Sequence, residues 1–219
     1  MADAVEVFLL TLTALFPIVD PLAGSPIFLA MTQEYSLETR RSLAWRVALN
    51  SLFLLVASYF GGAHVLNFFG VSLPVVQVGG GLIVASMGWG MLLEKDEPHQ
   101  TSRNSVQCSD ALHSAFYPLT LPLTVGPGSI SVAVTLGANS TRHYGFHLVV
   151  ILAALIAMAA VATSVLLCYG LADQLARALG RTGMVVIVRL SSFLLVCIGV
   201  QIMWNGITAL LSSSNIGRM

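Results

Sequence analysis

The sequence predicts an all-α membrane protein, with six transmembrane helices arranged as two inverted-topology repeats of three. Three observations carry this. Hydrophobic residues make up 56% of the 219 and charged residues 9%, with mean hydropathy +0.85, whereas soluble domains carry about 25% charged residues. The apolar residues gather into stretches close to the ~20 residues that cross a bilayer. And one proline phrase occurs twice. Phe16-Pro17-Ile18-Val19-Asp20-Pro21-Leu22-Ala23-Gly24-Ser25-Pro26 and Tyr117-Pro118-Leu119-Thr120-Leu121-Pro122-Leu123-Thr124-Val125-Gly126-Pro127-Gly128 share the spacing Pro-x3-Pro-x4-Pro, offset by 101 residues.

The spans are expected near 6–31, 43–65, 72–93, 116–137, 146–171 and 184–211. Asp3 and Glu6 precede the first, with no basic stretch ahead of it, so it reads as a retained span rather than a cleaved signal. The first and fourth hold the proline phrases. Proline removes a donor and clashes with the carbonyl four residues back, so neither phrase can be one unbroken helix. Freed carbonyls find no water in lipid, and broken helices occur there only where buried in protein or lining a cavity. The third spans correspond loosely: Gly80-Gly81-Leu82-Ile83-Val84 meets Ser191-Ser192-Phe193-Leu194-Leu195 at an offset of 111, which puts Gly88 on Gly199. Small residues there let helices approach closely.

Arginine and lysine set the orientation. Arg40, Arg41, Arg46, Lys95, Arg103, Arg177, Arg181 and Arg189 fall at one side, against Arg142 and Arg218 at the other. The odd loops are therefore expected in the cytoplasm and both termini in the periplasm. Each half has three spans, so the halves cross in opposite senses. Residues 1–93 form the first repeat, 94–115 a polar cytoplasmic linker, and 116–219 the second repeat.

Asp20 is the one acidic residue well inside a span, and a carboxylate there is a functional hypothesis by default. It has three readings: an ion-coupling carboxylate for H+ or Na+, a partner for a substrate ammonium, or a protonated group bonded to carbonyls freed by Pro21 and Pro26. The second phrase has Leu121 at the matching place, so any ion role is asymmetric. Gly24, Ser25, Gly126, Gly128 and Ser129 flank the last prolines, Pro26 and Pro127. A helix restarting there offers N–H groups to an anion such as an amino-acid carboxylate; tight packing is the alternative. Thr120 and Thr124, on either side of Pro122, supply hydroxyls or bond the carbonyl one turn back. Arg189 reads as snorkelling to the interface, and Asn50, Gln77, Gln201 and Asn205 as helix-to-helix glue. Cys108, Cys168 and Cys197 make no metal or disulfide pattern, and the histidines show no ligand spacing. Zero net charge gives no case for nucleic acid, and no phosphate loop appears.

At these residues the chain resembles the MarC-related family of bacterial inner-membrane proteins. The motifs are Pro17 to Pro21 with Pro26-Ile27-Phe28, Gly79 to Val84, Pro118 to Ser129, and Arg189-Leu190 with Phe193 to Gln201 and Asn205-Gly206-Ile207. The resemblance covers nearly the whole length. It implies a six-span fold distantly related to LysE-type amino-acid exporters, and in some members transport of small neutral amino acids. The chain departs from the family pattern at Asp20, where Asn is usual, and near Ser191-Ser192, where Gly is frequent. A carboxylate for an amide changes ion coupling or substrate charge preference.

Together these readings favour a secondary transporter for small zwitterionic solutes, without cofactor or enzymatic chemistry. Its partners are a small-molecule substrate, H+ or Na+ as candidate coupling ion, and the bilayer, with a homo-oligomer left open. The expected binding residues are Asp20, Pro21, Gly24, Ser25, Pro26, Thr120, Pro122, Thr124, Gly126, Pro127, Gly128 and Ser129. A passive channel and a non-transporting membrane scaffold are the alternatives.

Overall fold

The computed structural model describes residues 2–32, 35–93, 115–144 and 147–216. The linker expected at 94–115 lies outside these except for Ala115. Every regular element among the described residues is helical: α1 Ala2–Val19, α2 Pro21–Met31, α3 Leu37–Phe68, α4 Leu73–Leu93, a π-helix Ala115–Thr124, α5 Pro127–Tyr144, α6 Leu148–Gly170 and α7 Ala172–Ile216. α7 is interrupted at Gly180, whose φ of 64° and ψ of 179° are non-helical.

Five segments are long and apolar enough to cross a membrane: Asp3–Met31, Leu37–Phe68, Leu73–Leu93, Leu148–Gly170 and Thr182–Ser212. The stretch expected as the fourth span is instead two helices in series, the π-helix of 10 residues and α5 of 18. Large apolar side chains face outwards along the spans, among them Phe53, Phe193 and the tryptophans Trp45, Trp89 and Trp204. An apolar surface of this extent suits lipid contact. The core runs through Leu15, Phe28, Val47, Leu55, Leu119, Val125, Met158, Val161 and Tyr169.

The long-range packing has a pattern. α4 lies along α7, α3 on α5 and α6, α1 on α6 and α5, and α2 on α7 and α6. The π-helix packs on α3 and α2, and α5 on α4. Apart from a small contact between α6 and α7, each of these pairs joins an element before residue 94 to one after 114.

Glycines make the closest of these approaches possible. A Cβ on Gly88 would meet the Ser192 carbonyl oxygen at 2.7 Å and the Val196 nitrogen at 2.8 Å. A Cβ on Gly199 would meet the Gly81 carbonyl oxygen at 2.7 Å and run into the Ala85 nitrogen. The expected close approach of the two third spans is therefore present, backbone against backbone.

Candidate functional site

The first phrase breaks at Asp20. Its amide donates to the Phe16 carbonyl at 3.0 Å, closing α1. Its backbone then turns left-handed, φ 42° and ψ 63°, a conformation that Asp tolerates better than most residues. Pro21 follows at the first position of α2, where the missing N–H costs nothing. One carboxylate oxygen, Oδ1, caps α2 by accepting from the Ala23 amide at 3.3 Å. The other, Oδ2, is buried and has no hydrogen-bond partner. Ser191 of α7 stands beside the carboxyl. The carbonyl that Pro26 leaves open, that of Leu22, takes the Ser25 hydroxyl at 3.0 Å.

The second phrase breaks later, at Val125 and Gly126. Before that it winds as a π-helix, and its threonines bond one wide turn back: Thr120 to the Ala115 carbonyl at 2.7 Å, Thr124 to the Leu119 carbonyl at 2.8 Å. The Val125 amide closes the last turn on the Thr120 carbonyl at 2.9 Å. α5 restarts with Pro127 at its first position. Asn50 of α3 reaches the Thr120 hydroxyl at 3.5 Å.

The two phrases meet. Ile18 from the first, Leu123, Thr124, Gly126 and Gly128 from the second and Ser129 just after it line one small cavity, together with Val84 and Met87 of α4 and Leu195 of α7. Its volume, about 20 Å³, is room for a single water. Gly128 is pressed against Val84. Pro127, on the other side of this helix start, lines a second and open cavity of about 580 Å³ among α3, α4 and α5. Gly79 and Gly80 of α4 and Ser131 of α5 share that wall, and Ser131 donates to the Val76 carbonyl at 2.9 Å.

Of the expected residues, Thr124, Gly126, Gly128 and Ser129 thus border the small cavity and Pro127 the large one. Pro21, Gly24 and Ser25 are buried within α2, Pro26 is half-buried, and Thr120 is buried against α3. The side chain of Pro122 lies outside the description. Tyr169 on α6 joins the two phrases and was not singled out from the sequence. It is fully buried, its hydroxyl lies 3.0 Å from the Thr124 hydroxyl, and a Cβ on Gly24 would come within 2.5 Å of it. Its one signal was a phenol at the end of a long apolar run. Arg189 donates to the Leu92 carbonyl at the end of α4.

The model of the MarC family, described as integral membrane proteins, matches residues 5–211. The chain belongs to the MarC family. Its relatives include the inner membrane protein MarC of Salmonella typhimurium, 31% identical over 220 residues that cover 97% of this chain and 99% of that one. MarC of Citrobacter koseri is 31% identical over 223 residues and MarC of Escherichia coli 29% over 227, with the same coverage. No solved structure matches the chain. The MarC resemblance drawn from the proline and glycine motifs is therefore correct, and the cavity where those motifs meet is built from them.

Proposed function

We propose that this MarC-family protein is a secondary transporter that moves small neutral amino acids, or similar zwitterions, across the inner membrane by alternating access. The observation that carries the reading is the meeting of two proline-broken segments, through Ile18 of the first and the end of the second, at one small cavity. Discontinuous helices at corresponding places in two halves are the usual frame of a transporter site. In this reading the start of α5 takes the substrate carboxylate, and Asp20, which does not line the small cavity and whose Oδ2 is buried with Ser191 beside the carboxyl, offers a charge to the ammonium or to a coupling H+ or Na+. Transport rather than catalysis is the role such a site suits.

The packing supports reading 1–93 and 116–219 as inverted repeats. Exchange each helix of one half for its counterpart in the other, and the pairs α3–α5 and α2–α6 trade places, as do α1–α6 and the π-helix with α3, and α4–α5 and α2–α7. At the third spans the exchange holds atom by atom. Shifting by 111 turns Gly88 against Ser192 oxygen and Val196 nitrogen into Gly199 against Gly81 oxygen and Ala85 nitrogen, the contacts described above. The arginine-rich ends are assigned to the cytoplasm and the termini to the periplasm.

A passive channel needs a continuous path, and the stacked rings of Phe28 and Tyr169, 4.6 Å apart, fill the core next to the phrases. The test is a thermal-shift screen of the purified protein against the common amino acids, with and without Na+ and at two pH values. A ligand that binds only the folded state raises its melting temperature by mass action. A shift with alanine, glycine or serine that disappears on Gly126→Val is expected. Absence of any shift would turn the reading towards a channel or a scaffold.

A further inference from the structure

We propose that Arg40, Asp173, Phe28 and Tyr169 form a two-layer gate that shuts the proline-broken site on the arginine-rich face. The proposal rests on the transporter reading and names the parts that would control access to its site.

The outer layer is an ion pair. Arg40, near the start of α3, is only 8% exposed. It donates to the Asp173 carboxylate at 2.5 Å and to the Thr32 carbonyl, at the end of α2, at 3.1 Å. One residue thus ties together three chain segments, the ends of α2 and α6–α7 and the beginning of α3. The inner layer lies one helical turn deeper along two of them. Four residues before Thr32 is Phe28, and four before Asp173 is Tyr169. Their rings stack at 4.6 Å and 17°. The Thr32 hydroxyl locks this turn by donating to the Phe28 carbonyl at 2.7 Å. Beneath the stack the Tyr169 hydroxyl touches both phrases, at Thr124 and at Gly24. A column of contacts therefore runs from the arginine-rich surface to the site.

Two features make this column a gate rather than plain packing. The Nε of Arg40 is buried without a partner. Its partner Asp173 is 36% exposed, so the pair is half in water, gains little net stability and can part without leaving both charges buried. Seven residues past Asp173, Gly180 breaks α7 at φ 64° with open space around it, a place where the segment bearing Asp173 can swing. The contact column thus covers the arginine-rich side, while on the far half of α3 an open groove of about 580 Å³ among α3, α4 and α5 reaches Pro127.

The experiment uses a full-length chain with Cys108, Cys168 and Cys197 replaced and Ser129→Cys as reporter in the small cavity. Inverted membrane vesicles expose the arginine-rich face to a membrane-impermeant maleimide. Slow labelling is expected with Arg40 and Asp173 present, and at least tenfold faster labelling with Arg40→Gln or Asp173→Asn. The exchange Arg40→Asp with Asp173→Arg should slow it again, and Tyr169→Ala should speed it. If either neutral variant, shown folded by its melting curve, labels no faster, the gate is overturned. If the charge exchange labels as fast as the single variants, the ion pair is not the lock. No substrate enters the assay, so a failed transport reading and a failed gate give separate results.

Discussion

The contact between Gly24 and Tyr169 shows what a single atom does in this site. A methyl group on Gly24 would fall 2.5 Å from the phenolic oxygen and 3.3 Å from the ring carbons, while the Phe28 stack prevents the ring from retreating. Gly24→Ala should therefore cost about 1–3 kcal/mol, as overpacking does. Tyr169→Phe loses the Thr124 hydrogen bond, worth about 1 kcal/mol, but removes the clashing oxygen. The double variant should be less destabilised than the sum of the singles, and thermal or denaturant unfolding of all four proteins in detergent checks this. Asp20 yields a second prediction. Asparagine keeps a capping oxygen and tolerates the left-handed backbone, so Asp20→Asn should melt near the parent. Asp20→Ala loses the cap, about 1 kcal/mol, and strains at φ 42°, so it should melt lower. If transport is ion-coupled through this carboxyl, Asp20→Asn alone removes the Na+ or pH dependence. Asp20 was legible in the sequence because a charge stands out in an apolar run. Tyr169 and Arg40 were not, because their meaning depends on which helices lie beside them.

At the scale of elements, the crossing of α4 and α7 depends on where side chains are absent. Lipid offers no hydrophobic drive to hold two apolar helices together, so close packing must do it. Gly88→Ala and Gly199→Ala both push a methyl into the partner's backbone, which cannot move as a side chain can. Each should cost about 1–3 kcal/mol, and the equivalence of their contacts makes the two costs similar. Gly79 and Gly90 on the same helix face open space. Gly79→Ala and Gly90→Ala should be neutral or stabilising by up to about 1 kcal/mol, the helix-propensity gain. Melting temperatures of the four variants separate the classes. This crossing could be read from the 111-residue offset that puts Gly88 on Gly199. The form of the broken helices could not. Identical proline spacing gives a break at Asp20 in one copy and at Val125–Gly126 in the other. Threonine hydroxyls at 120 and 124 carry the second copy through a π-helix, and an aspartate able to turn left-handed stops the first.

For the whole molecule, the packing implies that neither half is a folding unit. The extensive contacts cross from the elements before residue 94 to those after 114, so residues 1–93 alone would insert as separate spans with almost nothing to pack on. The halves expressed as separate chains, cut within 94–114, should co-purify and melt as one species, whereas either alone should aggregate or be degraded. The first half cannot replace the second by pairing with its own copy. In the proposed inverted arrangement the partner must cross the membrane in the opposite sense, while Arg40, Arg41 and Arg46 hold every copy of the first half in the same one. A monodisperse, cooperatively melting 1–93 chain would contradict both the interleaved packing and the inverted reading. Moving those three arginines to the opposite ends of the spans should, by the same reasoning, let some copies of the first half insert upside down and associate with the rest.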